Sequence, residues 1–342
     1  MRGNAVRLDS DSFFGLLAAT NAAPPGLTLL YSSKEGDFRV YASVEEGRIR
    51  FYFAVKHKGV WKAVESLYNE KDGTVRLWRK ERDVIEAIKD AVAKALKGLG
   101  RPAEVGEPKE ERDKEDKVVG HYLKLRGPHI TPFLEHAADR VEAKPADVRL
   151  EGRRIVVKSG EVDVAVEFKL LKGSEAEFLF AHDVGQTLAL YKSLKEAGVR
   201  VEITPKGVKI NSEVLWALVA TAVERSTPSG LPAEVMPGVE LLKVYSAGGM
   251  KLYILRAEGV HYYFAVKAGR EWRVAGGKYR NRKGLVLIAG KAAPTIADVV
   301  NDLYREMGVE RRVEVKYNKD GTPYIQLTNV DLRLLGLIRH GS

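Results

Sequence analysis

The chain of 342 residues contains no cysteine. That excludes a disulfide framework, thiolate metal clusters and a cysteine nucleophile. Thermolabile side chains are scarce as well: eight Asn, two Gln and four Met stand beside 56 Lys+Arg and 46 Asp+Glu, the composition of proteins that work hot. No segment approaches the roughly 20 apolar residues that a membrane-spanning helix requires, and Asp9 and Asp11 interrupt the apolar stretch near the N-terminus. The seven His show no HExxH or other ligand spacing, so neither a metal site nor a cofactor is expected. Phosphate-loop GxxxxGK[ST] and nucleophile-elbow GxSxG patterns are missing. The Gly248-Gly249 and Gly276-Gly277 pairs fall where turn geometry accounts for them. No residue pattern marks a catalytic centre, and the chain reads as a soluble cytoplasmic protein with no membrane partner.

What is present is a folding composition with a basic balance. Hydrophobic residues make up 45% and charged ones 30%, enough to bury more than one core, and the length suggests two or three domains. The net charge is 56 − 46 = +10, which favours polyanionic partners. Residues 101–117 carry seven acids and five bases with almost no apolar content, and read as a solvated linker or long loop. The rest of the chain therefore carries +12.

Self-similarity is the strongest internal signal. Phe51-Tyr52-Phe53-Ala54-Val55-Lys56 recurs as Tyr262-Tyr263-Phe264-Ala265-Val266-Lys267, an offset of 211. The same offset places Trp61 on Trp272, Tyr68 on Tyr279, Gly73 on Gly284 and Val75 on Val286, and it continues into a helix where Ile85 and Ile88 fall on Ile296 and Val299. Upstream, Phe38 to Tyr41 matches Met250 to Tyr253 at 212, and Tyr31-Ser32 matches Tyr245-Ser246 at 214. A second echo pairs Lys195 to Val199 with Arg305 to Val309, each leading through a glycine turn into a short strand and a capped helix.

Periodicity and turn residues predict helices at 12–20, 82–98, 130–141, 182–197, 212–225, 295–307 and 330–338. Strands are expected at 27–32, 37–43, 48–57, 60–66, 74–79, 118–126, 147–151, 153–159, 162–171, 199–204, 207–210, 239–245, 249–257, 259–267, 270–275, 284–289, 312–317 and 323–327. The class is α+β: duplicated antiparallel β-meander units flanked by helices. We divide the chain into a first repeat unit at 1–141, a middle α+β segment at 142–210 and a second repeat unit at 211–342.

Bases interleaved with aromatics on strands suit phosphate contact combined with base stacking, and a two-stranded ribbon fits a major groove. The second unit offers Lys267, Arg270, Trp272, Arg273, Lys278, Tyr279, Arg280, Arg282 and Lys283. The first offers Lys56, Lys58, Trp61 and Lys62, followed by Arg76, Trp78, Arg79 and Lys80. The expected partner is nucleic acid, duplex DNA in the first instance, with Trp61, Trp272 and Tyr279 as stacking or apolar contacts. The competing reading makes the aromatics core residues and the bases a solvated face.

Two resemblances add to this. From Leu303 to Arg339 the run of helix, glycine, strand, Lys319-Asp320-Gly321 turn, strand and helix resembles the second half of a LAGLIDADG-type module. That resemblance implies an αββαββα order, a saddle of strands along the DNA major groove and motif helices that deliver metal-binding carboxylates. The matching helices here are Phe14 to Asn21 and Leu215 to Glu224, with Phe133 to Asp139 as a third. Asn21 stands where the family places an acid. A metal-dependent homing-type endonuclease is therefore one alternative, and a protein-interaction or structural module is another. The wording at Ile296 to Asn301, Gly308 to Arg312 and Leu327 to Leu332 resembles a multicopy paralogous-repeat family of hyperthermophilic crenarchaea. It implies origin and compartment rather than a reaction.

Overall fold

The computed structural model describes residues 9–20, 24–226 and 230–338. In chain order the elements begin α1 (Ser10–Thr20), β1 (Leu27–Ser32), β2 (Phe38–Glu45), β3 (Arg48–His57), β4 (Val60–Asn69), β5 (Thr74–Arg79), α2 (Arg82–Gly98), β6 (Lys109–Arg112), β7 (Val118–Arg126) and α3 (Gly127–Arg140). They continue β8 (Asp147–Glu151), β9 (Arg154–Ser159), β10 (Val162–Glu167), β11 (Glu177–Leu179), α4 (Val184–Glu196), β12 (Glu202–Thr204) and β13 (Gly207–Ile210). The remainder is α5 (Ser212–Arg225), β14 (Ala233–Met236), β15 (Val239–Ala247), β16 (Met250–Ala257), β17 (His261–Ala268), β18 (Glu271–Arg280), β19 (Leu285–Ala289), α6 (Ala293–Glu306), β20 (Lys316–Tyr317), β21 (Pro323–Thr328) and α7 (Asn329–Leu334). The class is α+β, with seven α-helices and four sheets among the described residues. None of these helices is long and apolar enough to cross a membrane.

The chain forms two compact units. One holds the described parts of 1–143, 178–192 and 202–209; the other holds those of 144–177, 193–201 and 210–342. The main sheet of the first runs β1-β2-β3-β4-β5-β7-β6, and that of the second runs β14-β15-β16-β17-β18-β19-β21-β20. Apart from β14 the order is the same, and so are the registers. Phe53 faces Val64 where Phe264 faces Ala275, Tyr68 faces Val75 where Tyr279 faces Val286, and Val75 faces Leu125 where Val286 faces Leu327. Even a bulge recurs, at Leu30 in β1 and Leu242 in β15.

Register also corrects two of the matches made on the sequence. Val40 faces Phe53 and Ile254 faces Phe264, so β2 corresponds to β16 at an offset of 214 rather than 212. Tyr31 opposes Val40 and Lys243 opposes Ile254, which sets β1 on β15 at 212. A two-residue slip leaves every side chain on its own face, so the apolar pattern alone does not reveal it.

In each unit one amphipathic helix covers one face of the sheet. Helix α2 buries Val84, Ile85, Ile88, Val92, Ala95 and Leu96, and α6 buries Ile296, Val299, Val300, Leu303 and Tyr304. The second core gathers these with Leu252, Ile254, Phe264, Val286, Ile288, Ile325 and Leu327. The opposite face is covered only at one end. There α1 seats Phe14 and Leu17 on Tyr41, Ala54 and Ala63, and α5 stacks Trp216 on Tyr263 with ring centres 3.8 Å apart. The two helices start alike: Asp9 accepts the Ser12 amide at 2.8 Å and Asn211 accepts the Val214 amide at 2.9 Å, each satisfying an amide that the first turn leaves open. Helix α5 is buried continuously from Val214 to Val223, because β8 packs against it as well.

Three expectations are corrected in detail. Within 101–117, Lys109–Arg112 is a strand, paired with β7; an edge strand needs only its backbone to pair, and charged side chains protect it. The expected strand at 312–317 shortens to Lys316–Tyr317, because the Asn301 side-chain amide occupies both the N–H and the C=O of Val313, at 2.7 and 3.0 Å. Strand β18 runs on to Arg280, five residues past its expected end. Glycine is obligatory at position 198: Gly198 lies at φ +86°, and a Cβ there would come within 1.6 Å of the Arg270 carbonyl oxygen.

Candidate nucleic-acid interface

The ribbons expected to carry the interface are largely engaged by the fold itself. Strands β17 and β18 have α6 on one face and α5 on the other. Lys267 pairs with Glu224 of α5 and lies 5.3 Å from the centre of the Trp272 ring. Trp272 is 1% exposed and presents no face to a base, so the expected contact through Trp272 is withdrawn. Arg273 donates to the Thr295 hydroxyl of α6 at 2.8 Å. Tyr279 packs against the second core and donates its hydroxyl to Asn329 at 2.8 Å. In the first unit Trp61 is half-buried against Gly15 of α1, with the Arg39 guanidinium 5.8 Å from its ring centre. Lys62 is 3.1 Å from Asp11. Lys58 and His57 share Asp83 at 2.8 and 3.0 Å; the Lys58 ammonium leads in holding that carboxyl down to about 2. Lys56 and Arg270 are exposed.

The helix α1 network shows how those bases are used. Strands β4 and β5 pair only at Tyr68 and Asn69, so the edge of β4 at Ala63 is open. Asp11 accepts the Ala63 amide at 2.8 Å, while Arg79 donates to the Ala63 carbonyl at 2.7 Å and to both Asp11 oxygens at 2.8 and 2.6 Å. Burial pushes the Asp11 carboxyl up, but Arg79, the Ala63 amide and Lys62 outweigh it and bring it down to about 2. Here the bases hold the fold together.

What remains open is the far half of each sheet, on the face opposite α2 or α6. In the second unit Lys278 and Arg280 close β18, Arg282 and Lys283 form the turn into β19, and Lys316 and Lys319 lie on the β20–β21 hairpin. All six are exposed, and none makes an ion pair among the described residues. Half-exposed Leu285, Leu287, Tyr324 and Gln326 lie between them. The turn itself has a counterpart: the Gly284 amide meets the Arg280 carbonyl and the Gly73 amide meets the Asn69 carbonyl, both at 2.9 Å. Where the second unit reads Arg280-Asn281-Arg282-Lys283, the first reads Asn69-Glu70-Lys71-Asp72.

The first unit fills the same half-face differently. Arg76, Trp78, Tyr122 and Lys124 point outward while Val75, Leu77, Leu123 and Leu125 are buried. Its charges are matched: Arg76 with Glu111 at 2.9 Å, Lys124 with Asp72 at 3.6 Å, Arg112 with Glu110 at 2.6 Å. Tyr122, Lys124, Lys316, Lys319 and Tyr324 lie outside the set of binding residues expected from the sequence. A weak signal pointed to two of them, since Tyr122 and Leu125 recur as Tyr324 and Leu327 at an offset of 202.

For metal-dependent chemistry, Glu224 is engaged by Lys267, Asp139 is exposed at the end of α3, and Asn21 lies outside the described residues. No group of three or more His, Asp or Glu converges among the described residues. Clefts of about 620 and 700 Å³ lie at equivalent places beside α2 and α6. His136 lines the first, its basicity lowered by burial and by Arg140. Comparison with protein-family models, curated proteins and solved structures returns no match.

Proposed function

We propose that the chain binds nucleic acid through the open end of the second unit's sheet, with Lys278, Arg280, Arg282, Lys283, Lys316 and Lys319 on phosphates. The observation that carries this reading is a cluster of six exposed bases without ion-pair partners among the described residues, where the bases Arg76, Lys124 and Arg112 on the twin half-face are each paired with an acid. A surface tuned only for heat stability intersperses both signs, as the first unit does. A cluster in which bases outnumber acids, as these six do with Asp320 the exposed acid of the hairpin turn, instead raises the local potential and concentrates polyanions. Strand geometry sets its reach. From Leu285 to Ala289 β19 advances about 13 Å, and the four strands β18-β19-β21-β20 span about 14 Å. Arg280 and Lys316 thus stand about 20 Å apart, enough to follow a duplex backbone over about six nucleotides.

Exchanging the turn tests the proposal with a sequence that already folds this way in the same chain. The variant Arg280→Asn/Asn281→Glu/Arg282→Lys/Lys283→Asp removes two bases and adds two acids, which lowers the net charge by four. With up to six phosphate contacts the wild type should show a slope of log K against log salt near −5, and the exchange should flatten it by about two to three. A wild-type slope near zero refutes nucleic-acid binding; an unchanged slope in the variant refutes this patch.

A further inference from the structure

The first unit's half-face has the form of a stacking platform. Trp78 is 39% exposed, and its indole lies over Gly120 of the neighbouring strand, where a Cβ would come within 2.7 Å of three ring atoms. One face of the indole thus rests on bare backbone. Directly opposite Trp78 in the register stands Tyr122, with the Arg76 guanidinium 4.1 Å from its ring centre and held there by Glu111. Three planar groups are laid on one strand pair. Lys80 and Lys109, both exposed and without an ion pair among the described residues, flank them. The second unit has Ala289, Leu287 and Thr322 at the places of Trp78, Arg76 and Gly120, so its sheet carries no such platform there.

We infer that this platform takes unstacked bases, which makes the preferred ligand a single-stranded nucleic acid. The inference rests on the nucleic-acid reading above and narrows it. Exposed rings on a sheet, beside bases for the backbone, are what sequence-tolerant single-strand binding uses. A duplex offers such rings nothing, because its bases are stacked inside. The charges around the platform are nearly balanced, so its contribution comes from stacking, whereas the second unit's patch supplies the attraction that depends on salt.

The experiment uses the full chain with oligothymidylate, a duplex of the same length, and polyphosphate, which carries charge without rings. Affinity and tryptophan fluorescence are followed across a salt series. Trp216 and Trp272 are 1% exposed and Trp61 is half-buried, so Trp78 dominates any quenching by stacked bases. We expect oligothymidylate to quench and polyphosphate not to. Trp78→Ala should weaken oligothymidylate about five- to a hundred-fold and duplex less than about twofold, with the salt slope unchanged. Gly120→Ala, which lifts the indole off its seat while keeping it, should reproduce most of that loss. Binding with a steep salt slope, but with single-strand affinity unchanged in both variants, overturns the platform and leaves the nucleic-acid reading standing. Quenching by polyphosphate as strong as by oligothymidylate also overturns it. No binding of any of the three ligands removes the nucleic-acid reading itself.

Discussion

Replacing Asp11 with Asn should destabilise the first unit by about 1.5 to 2 kcal/mol at neutral pH. The figure follows from the network at the open edge of β4. The Asp11 carboxyl is held from 3.8 down to about 2, which corresponds to about 2.4 kcal/mol. The side chain is still 22% exposed, and solvent screening reduces that value. Asn keeps the size and still accepts the Ala63 amide, so the loss isolates the charge shared with Arg79 and Lys62. Because the carboxyl is lower in the folded chain than in the unfolded one, its stabilisation is complete above about pH 5. It declines as the pH falls from 3.8 towards 2 and is gone below that. Denaturant titrations at pH 7 and pH 2 should therefore show a gap between wild type and variant that closes at the acid end. Hydrogen exchange over residues 60–66 at pH 7 reads the same edge locally, independent of whether the two units unfold together. Equal stability at pH 7, or a gap undiminished at pH 2, would refute the assignment of this edge to a charged network.

Two further substitutions probe the second unit. Asp331 is 2% exposed, caps α7 by accepting the Thr328 amide at 2.7 Å and binds Arg311 and the Tyr304 hydroxyl; burial raises its carboxyl, but Arg311 and Thr328 hold it below the ordinary value. Asp331→Asn should cost about 2 to 3 kcal/mol near neutrality, with the cost fading as pH falls below 3.8, and the Tyr304 phenol, raised by burial and by Asp331, should titrate lower in the variant. Gly198→Ala should lower the melting temperature sharply, by about 2 to 4 kcal/mol in stability, whereas Gly59→Ala, with φ +81° but open space around it, should cost about 1 kcal/mol; equal effects would contradict the steric argument.

Much of the fold was legible because antiparallel meanders write a period of two into the chain, and because the copies kept it where side chains are buried on both faces. Phe53, Ala54 and Val55, like Phe264, Ala265 and Val266, are such positions, and the offset of 211 is plain there. The same period hid the slips in β1 and β2, since a shift by two preserves every face. The edge strand at 109–112 was illegible for a different reason, as its side chains meet water and carry no apolar pattern. For the site, Trp61 and Trp78 look alike in sequence, each an aromatic among bases on a strand. What separates them is the reach of a short helix. Helix α1 ends its cover at β4, leaving Trp61 beneath it and Trp78 in the open. Trp272, matched to Trp61 by the repeat, shares its fate more completely, because α5 is buried without a break from Val214 to Val223.

The two half-faces differ in the range of force they exert, and that difference gives the fold a way to divide one task. Paired charges and seated rings in the first unit act only at contact, and stacking is little affected by salt. Unpaired bases in the second act over about 10 Å at 0.1 M salt and weaken steeply as salt rises. A ligand suited to either half-face is a chain with charge along its backbone and accessible rings beside it. A rigid duplex satisfies the second half-face alone, as does polyphosphate. On the nucleic-acid proposal, the affinity that survives at high salt is expected to depend on Trp78, Arg76 and Tyr122, and the affinity lost between low and high salt on the turn at Arg280–Lys283 and the hairpin at Lys316–Lys319. The +10 net charge of the chain does not show this difference: what matters for a polyanion is that six bases stand unpaired among the described residues on the second half-face, where Arg76, Lys124 and Arg112 on the first are paired with acids.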